Sequence, residues 1–419
     1  MPKRIVILST LDTKGVEAGY LKSLIEAQGF KTILLDTSIG GEPAIPSDIS
    51  SEEVAAAGGG NIRDIRASRS TGEVTPIMIK GASLKVLELL AKGELDGIIS
   101  FGGASNTTSA TTVMKALPFG IPKLMVSSTA SMPAYAAMYI GTRDITMMHS
   151  VVDISGINDL TKAVLERAAG GICGMTAASD GAVKPKSTSS LIALTTFKFA
   201  EECGQYAMTL LEKKGYTVIP FHAQGIGDRA MEELIDQGLF QGVIDLVPAG
   251  VIEEFLGGNR SAGPHRLEAA GRVGIPQVIT PCGFDMLSCG PLSRREKEDP
   301  LWTTLELAKR KIFIPDEFRV QARTTDEELR KVAALVGQKL NRAKGPVKFL
   351  IPSKGWSTLS VEGADLFDPK ADAAFGPALR EHLRLGIDVS ELPMELNSPE
   401  FAEALVGALE GMMKECAGS

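Results

Sequence analysis

No stretch of this 419-residue chain stays apolar for the roughly 18 residues that a membrane span requires. Nor does it carry a run of Lys and Arg. With 44 basic against 51 acidic residues, a formal net charge of -7 argues against nonspecific binding to nucleic acid. Cysteine is scarce: Cys173, Cys203, Cys282, Cys289 and Cys416 form an odd set without a CxxC pair. That set argues against a disulfide framework and against a zinc site. Cys282 and Cys289 flank one loop, but free thiols are expected throughout. The start, "MPKRIVILSTLDTKG", reads as a short strand and turn, not a leader, so a cytoplasmic protein is expected. Glycine is plentiful, 44 residues without a period, which excludes collagen and fits many ligand-facing turns.

What is present is alternation. "KRIVILST" is a β-rich run, "GVEAGYLKSLIEAQG" has helical spacing closed by glycine, and "FKTILLDTS" is the next strand. The same grammar returns at "LDGIISFGG" and "IPKLMVSST", then after the polar break "SDGAVKPKSTSS" at 179–190. Beyond the break come "LIALTTF", "CGQYAMTLLEKKG", "YTVIPFHA", "GDRAMEELIDQGLF", "QGVIDLVPAG", "GPHRLEAAGRVG" and "IPQVITPCG". Alternation predicts parallel sheets with helices on both faces, here two doubly wound α/β domains, 1–183 and 188–419. Residues 291–325 are charged and break the pattern, which predicts an excursion covering a cleft or reaching a second subunit. A capped amphipathic helix, "DEELRKVAALVGQKLN", a strand, "GPVKFLIPSKG", and a last helix follow.

In open parallel sheets ligands lie beyond the carboxyl ends of the strands, so those loops hold the candidates. "STLDTKG" offers Thr10, Asp12, Thr13 and Lys14. Lys14 can neutralise a phosphate, Thr13 can donate to it, and Asp12 can approach a Mg2+; an ordinary helix cap beside a solvated lysine is the other reading. Asp36, followed by Thr37, stands where a ribose-binding carboxylate would. "FGGASNTTSAT" places Gly102 and Gly103 before Ala104, Ser105, Asn106 and Thr107, at a strand-to-helix junction. It is neither GxGxxG nor GxxxxGK[ST], yet small residues and a helix N-terminus can accept an anion.

The second half repeats the theme in "PFHAQGIGDRAMEEL": His222 ends a strand, Gly225 and Gly227 shape the turn, and Asp228 with Arg229 opens a helix. A second anion site with His222 as proton carrier is one reading; a helix cap beside a packed imidazole is the other. His149, in "GTRDITMMHSVVDISGIN", is read as a hydrogen-bonded structural histidine.

The ordered stretches "LDTK", "DIR", "GGAS", "LPFGIPK", "SVVDISGIN", "FHAQGIGDRAME", "SAGPHRLEAAGRVGIPQV", "DM" with "GP", "RTT" and "FDP" run from near Ile5 to the last helix. In this the chain resembles the family of the ATP-binding N-terminal domain of the tomato mosaic virus resistance protein and its uncharacterised bacterial homologues. The resemblance implies two Rossmann-like subdomains, a homodimer, and ATP with Mg2+ in the first subdomain near the glycine-rich loop, here at Thr10, Asp12, Thr13, Lys14, Asp36, Thr37 and Gly102 to Thr107. It also implies a possible protein partner, since the plant member binds the helicase domain of a viral replication protein. Differences fall where members carry "GGSGGT", "MFGVTTP", "HATGxGGRAME" and "DxTTTE": here stand "GGASNTT", "TTFKFAE", "HAQGIGDRAME" and "DLVPAG".

Two readings follow. In one, the chain is an ATP- and Mg2+-binding cytoplasmic enzyme acting on a small anionic or carbonyl substrate near His222, Asp285 and Arg323, at a cleft between domains. In the other, nucleotide only stabilises a protein-interaction module.

Overall fold

The β-branched and apolar run Arg4–Ser9 forms strand β1, and five of its six residues are buried. The computed structural model describes residues 2–68, 70–183 and 190–417. They divide into two compact units, Met1–Val183 and Lys184–Ser419. Of the polar break expected at 179–190, residues 184–189 lie outside those described.

In the first unit β1 is followed by α1 (Leu11–Ala27), β2 (Lys31–Asp36), α2 (Ser51–Gly58), α3 (Ile62–Ala67) and α4 (Thr71–Ala91). Then come β3 (Gly97–Gly102), α5 (Ala104–Ala116), β4 (Lys123–Ser127), α6 (Pro133–Ile140), β5 (Ile145–His149) and α7 (Asp159–Ala178). The strands form one parallel sheet in the order β2-β1-β3-β4-β5. All six residues of β3 are buried, as expected of a central parallel strand covered on both faces. Helices start on side-chain caps: Ser50 and Glu53 form a reciprocal box at α2, and Asn158 and Thr161 one at α7. α2 and α4 touch through glycines, since a Cβ at Gly81 would lie 1.8 Å from the Val54 carbonyl oxygen, and one at Gly58 2.1 Å from that of Ile77.

The second unit runs β6 (Leu191–Thr196), α8 (Glu201–Lys213), β7 (Thr217–His222), α9 (Ile226–Asp236), β8 (Gly242–Asp245), α10 (Gly250–Leu256), α11 (Ala269–Val273) and β9 (Gln277–Ile279). It continues with β10 (Met286–Ser288), α12 (Ser293–Glu296), α13 (Pro300–Thr304), β11 (Ile312–Phe313), β12 (Gln321–Arg323), α14 (Asp326–Leu340), β13 (Val347–Pro352), α15 (Pro369–Asp372), α16 (Phe375–His382), β14 (Asp388–Leu392) and α17 (Pro399–Ala417). Six strands make a parallel sheet, β14-β13-β9-β8-β6-β7. Pro220 sits in β7, where the sheet ends and a missing N–H costs no ladder bond on the open side. Both units are therefore Rossmann-like α/β folds. The excursion at 291–325 folds within the second unit: β10, β12 and β11 form a small antiparallel sheet over Leu287, Cys289, Trp302 and Val320.

All five cysteines are free, and four of them are buried. Among the described residues no helix is long and apolar enough to cross a membrane.

Candidate functional site

In the first sheet β2 lies on one side of β1 and β3 on the other, so the chain reverses direction at the carboxyl ends of these strands. Two helices that leave there must splay apart, which opens a crevice. A cavity of about 750 Å3 occupies this place. Thr10, Thr13 and Lys14 line it from the start of α1, Thr37 from the end of β2, and Gly103, Ala104, Ser105 and Asn106 from the start of α5. Much of the remaining lining is apolar, with Ile39, Met78, Ile79, Ala82 and Val113.

Gly103 is the N-cap of the 13-residue helix α5 and supplies no side-chain cap. The N–H groups of Ala104, Ser105 and Asn106 thus open α5 without partners of their own helix, at the end favoured by negative charge. A Cβ at Gly103 would meet only the Ser128 hydroxyl, at 3.9 Å, so the space beside this lining glycine is open. Gly102 has φ 149°, outside the range comfortable for other residues, and is not part of the lining. Lys14 breaks the helical dihedrals of α1 with φ -127° and ψ 17°, and its Nζ donates to the Ile154 carbonyl.

Several expected groups turn elsewhere. Asp36 is 1% exposed; its Oδ1 accepts from the backbone N–H groups of Leu11 at 3.1 Å and Ser38 at 3.0 Å. It therefore caps α1 from inside, which corrects the ribose reading. Asp12 uses Oδ2 to hold the N–H groups of Gly40 and Gly41, at 3.0 and 3.1 Å. It lies off the cavity lining, and among the described residues no group of three His, Cys, Asp or Glu could hold a metal. The protein residues here do not fit a Mg2+ of their own. Thr107 is buried, with its hydroxyl 2.7 Å from that of Ser127, and the Asn106 amide donates back to the Phe101 carbonyl. His149 sits at the end of β5 with Nδ1 3.2 Å from the Ser127 carbonyl oxygen.

Sequence reasoning missed one wall. Thr71, Gly72, Thr75 and Pro76 of α4 also line the cavity. Pro76 cannot donate to the Gly72 carbonyl, so the helix ladder is broken at the lining itself. A proline in an otherwise helical run was the available signal.

In the second unit, Gly225 and Gly227 serve backbone packing. A Cβ at Gly225 would lie 2.6 Å from the Ser261 carbonyl oxygen, and one at Gly227 2.1 Å from that of His222. Carbonyl oxygens therefore crowd this turn. Asp228 is fully buried 3.5 Å from Arg266, whose guanidinium also holds Asp245 at 2.6 Å and Glu232 at 2.9 Å. Burial pushes the Asp228 and Glu232 carboxyls up, against the pull of Arg266. One buried cation among three carboxylates does not make an anion cradle, which corrects the reading of Gly225, Gly227, Asp228 and Arg229; Arg229 itself is exposed.

Asp285 and Arg323 do meet. Arg323 Nη1 donates to the Asp285 carbonyl at 2.7 Å, and the Ser357 hydroxyl to Asp285 Oδ2 at 2.6 Å. His222 is exposed at the end of edge strand β7, three strand positions from β9. At about 4.8 Å per strand that is roughly 14 Å, so His222 does not join Asp285 and Arg323 in one constellation.

Comparison with known proteins places both units. The uncharacterised protein family UPF0261 matches by its N-terminal domain over residues 3–181 and by its C-terminal domain over 189–413. A UPF0261 protein of Clostridium tetani is 38% identical, covering 99% of this chain and 100% of its own. The ToMV resistance protein Tm-1(GCR237) of Solanum lycopersicum is 33% identical over 82% of this chain but only 47% of its own length. Among solved structures, a thioesterase domain from the curacin biosynthetic pathway matches with 10% identity and a TM-score of 0.27, covering 54% of this chain and 91% of that one.

Proposed function

Because the chain belongs to the uncharacterised protein family UPF0261 through both of its domains, we propose that its first unit binds a nucleotide triphosphate, ATP, in the cavity at the ends of β1, β2 and β3. The observation that carries this reading is the pairing of polar and apolar lining in one cavity of about 750 Å3. The polar part is the uncapped start of α5 with Lys14, Thr10 and Thr13, suited to phosphate. The apolar part, Ile39, Met78, Ile79 and Val113, is suited to a base. Gly103 permits close approach of backbone donors, and Lys14 adds a point charge on leaving the Ile154 carbonyl. A Mg2+ in this reading arrives with the phosphates and takes its ligands from them and from water.

In its fuller form the chain is a cytoplasmic enzyme that uses ATP on a small anionic or carbonyl substrate. The alternative is a nucleotide-stabilised interaction module, working as a homodimer or on another protein. It is favoured by α6, where Tyr135 and Met138 are 39% and 49% exposed. Turnover of ATP with metabolite pools separates the two.

A charge-assisted hydrogen bond is worth roughly 1.5 to 3 kcal/mol, so Lys14→Ala is expected to weaken ATP binding about ten- to a hundredfold with the fold intact. Gly103→Val, which adds bulk at a lining glycine beside the start of α5, is expected to weaken it as well. Calorimetry on both variants tests the site: ATP affinity unchanged in both would remove it.

A further inference from the structure

Three short stretches that are far apart in sequence converge in the second unit. "RTT" at 323–325 ends β12 and caps α14, "FDP" at 367–369 opens α15, and Asp285 of "DM" contacts Arg323. Between the first two lies a cavity of about 310 Å3. Four cations line it: Arg310, Lys311, Arg323 and Lys370, against the carboxylates of Asp326 and Asp368.

These cations are not equally engaged. Arg310 is held by both oxygens of Glu328, at 2.8 and 2.9 Å, and Lys311 donates to the Phe367 carbonyl. Lys370 is exposed and makes no hydrogen bond or ion pair among the described residues. Arg323 is 3% exposed; its two terminal nitrogens are engaged by Asp285, Asp368 and Asp372, while its Nε has no partner among the described residues. The 15-residue helix α14 begins here, with Thr324, Thr325 and Asp326 in the lining. The start of α14 is already answered by the box of Thr325 and Glu328, so the groups at this cavity that favour negative charge are the buried guanidinium with an unanswered N–H and the free lysine.

We propose that this cavity binds the carboxylate or phosphate group of a small organic anion, with Lys370 and Arg323 as the cations that hold it. This deepens the enzyme form of the reading above by naming where its anionic substrate is held. It lies in the second unit and shares no lining residue with the nucleotide cavity, so each can fail alone.

The test is calorimetric titration of the full chain with inorganic phosphate and with malonate, at constant ionic strength against chloride. Saturable binding of either anion is expected; which one binds names the chemical source. Lys370→Ala is expected to weaken binding about tenfold, and Asp326→Asn, which removes a repelling charge, to tighten it severalfold. Lys14→Ala is expected to leave it unchanged while weakening ATP binding. The proposal is overturned if neither anion binds better than chloride, or if binding is the same in wild type, Lys370→Ala and Asp326→Asn.

Discussion

Asp372 shows how far one carboxyl can be carried from its usual behaviour. Burial pushes it up to about 7, against the pull of Arg323 and helped by the nearby charges of Asp285 and Asp368. A carboxyl raised in the folded state favours folding while it is protonated. Its contribution is full below the ordinary value near 3.8 and is lost as pH rises through about 7. Wild type is therefore expected to lose stability relative to Asp372→Asn between about pH 4 and pH 7. Urea unfolding of the pair across this window measures the difference, and a flat difference would show that Asp372 stays ionised. At this scale the sequence was only half legible. Asp36 ends β2, and Asp12 and Thr107 stand in the first turns of the helices that follow β1 and β3, but each commits its polar atoms to the protein, to Leu11, to Gly40 and Gly41, and to Ser127. Position in a loop follows from periodicity. Which side of the loop a short carboxylate faces depends on partners such as Ser38, and no spacing rule supplies them.

At the scale of elements, strands were easier to read than the helices that finish the site. "KRIVILST" and "YTVIPFHA" became β1 and β7 within a residue or two, because β-branched runs bounded by turn residues have few other uses. Helix α4 was not anticipated. Gly72, Pro76 and Gly81 all read as breakers, and its helical state is imposed by packing on α2. The same packing yields a prediction. A Cβ at Gly81 would stand 1.8 Å from the Val54 carbonyl oxygen, so Gly81→Ala must push α4 off α2 and shift the wall that carries Met78 and Ile79. Overpacking of this kind costs about 1 to 3 kcal/mol. Denaturation should show that loss, and calorimetry should show weaker ATP binding although residue 81 is not in the lining. Stability lost with affinity unchanged would mean that α4 does not form the wall for the base. The excursion at 291–325 was expected to cover a cleft or reach a second subunit. Within the second unit it lines a cavity with Arg310, Lys311 and Arg323, and Arg260 ties it down through Gln321 of β12 at 2.9 Å.

For the whole molecule, the division of the core matters more than either sheet alone. Two clusters of buried side chains fill the first unit, one around Val6, Ile98 and Met125 and the other around Ile7, Phe101 and Leu165. Four more, built on residues such as Leu194, Phe349, Phe221 and Trp302, fill the second. Each cluster draws on one unit only. A chain of this length has enough apolar surface for two separate cores, and the alternation of strands and helices makes that legible in the sequence. If each unit owns its core, each should fold alone. Fragments 1–183 and 190–419 are then expected to unfold cooperatively, and ATP should raise the midpoint of the first fragment only. At a ligand concentration of 100 times Kd the gain would be about 2.7 kcal/mol. The full chain should accordingly show two transitions that separate further as ATP is added, because ligand stabilises only the unit that holds it. Scanning calorimetry reads this directly. A fragment 1–183 that unfolds without cooperativity would refute the division of the core, whereas cooperative unfolding of both fragments with no response to ATP would spare the architecture and refute the nucleotide site.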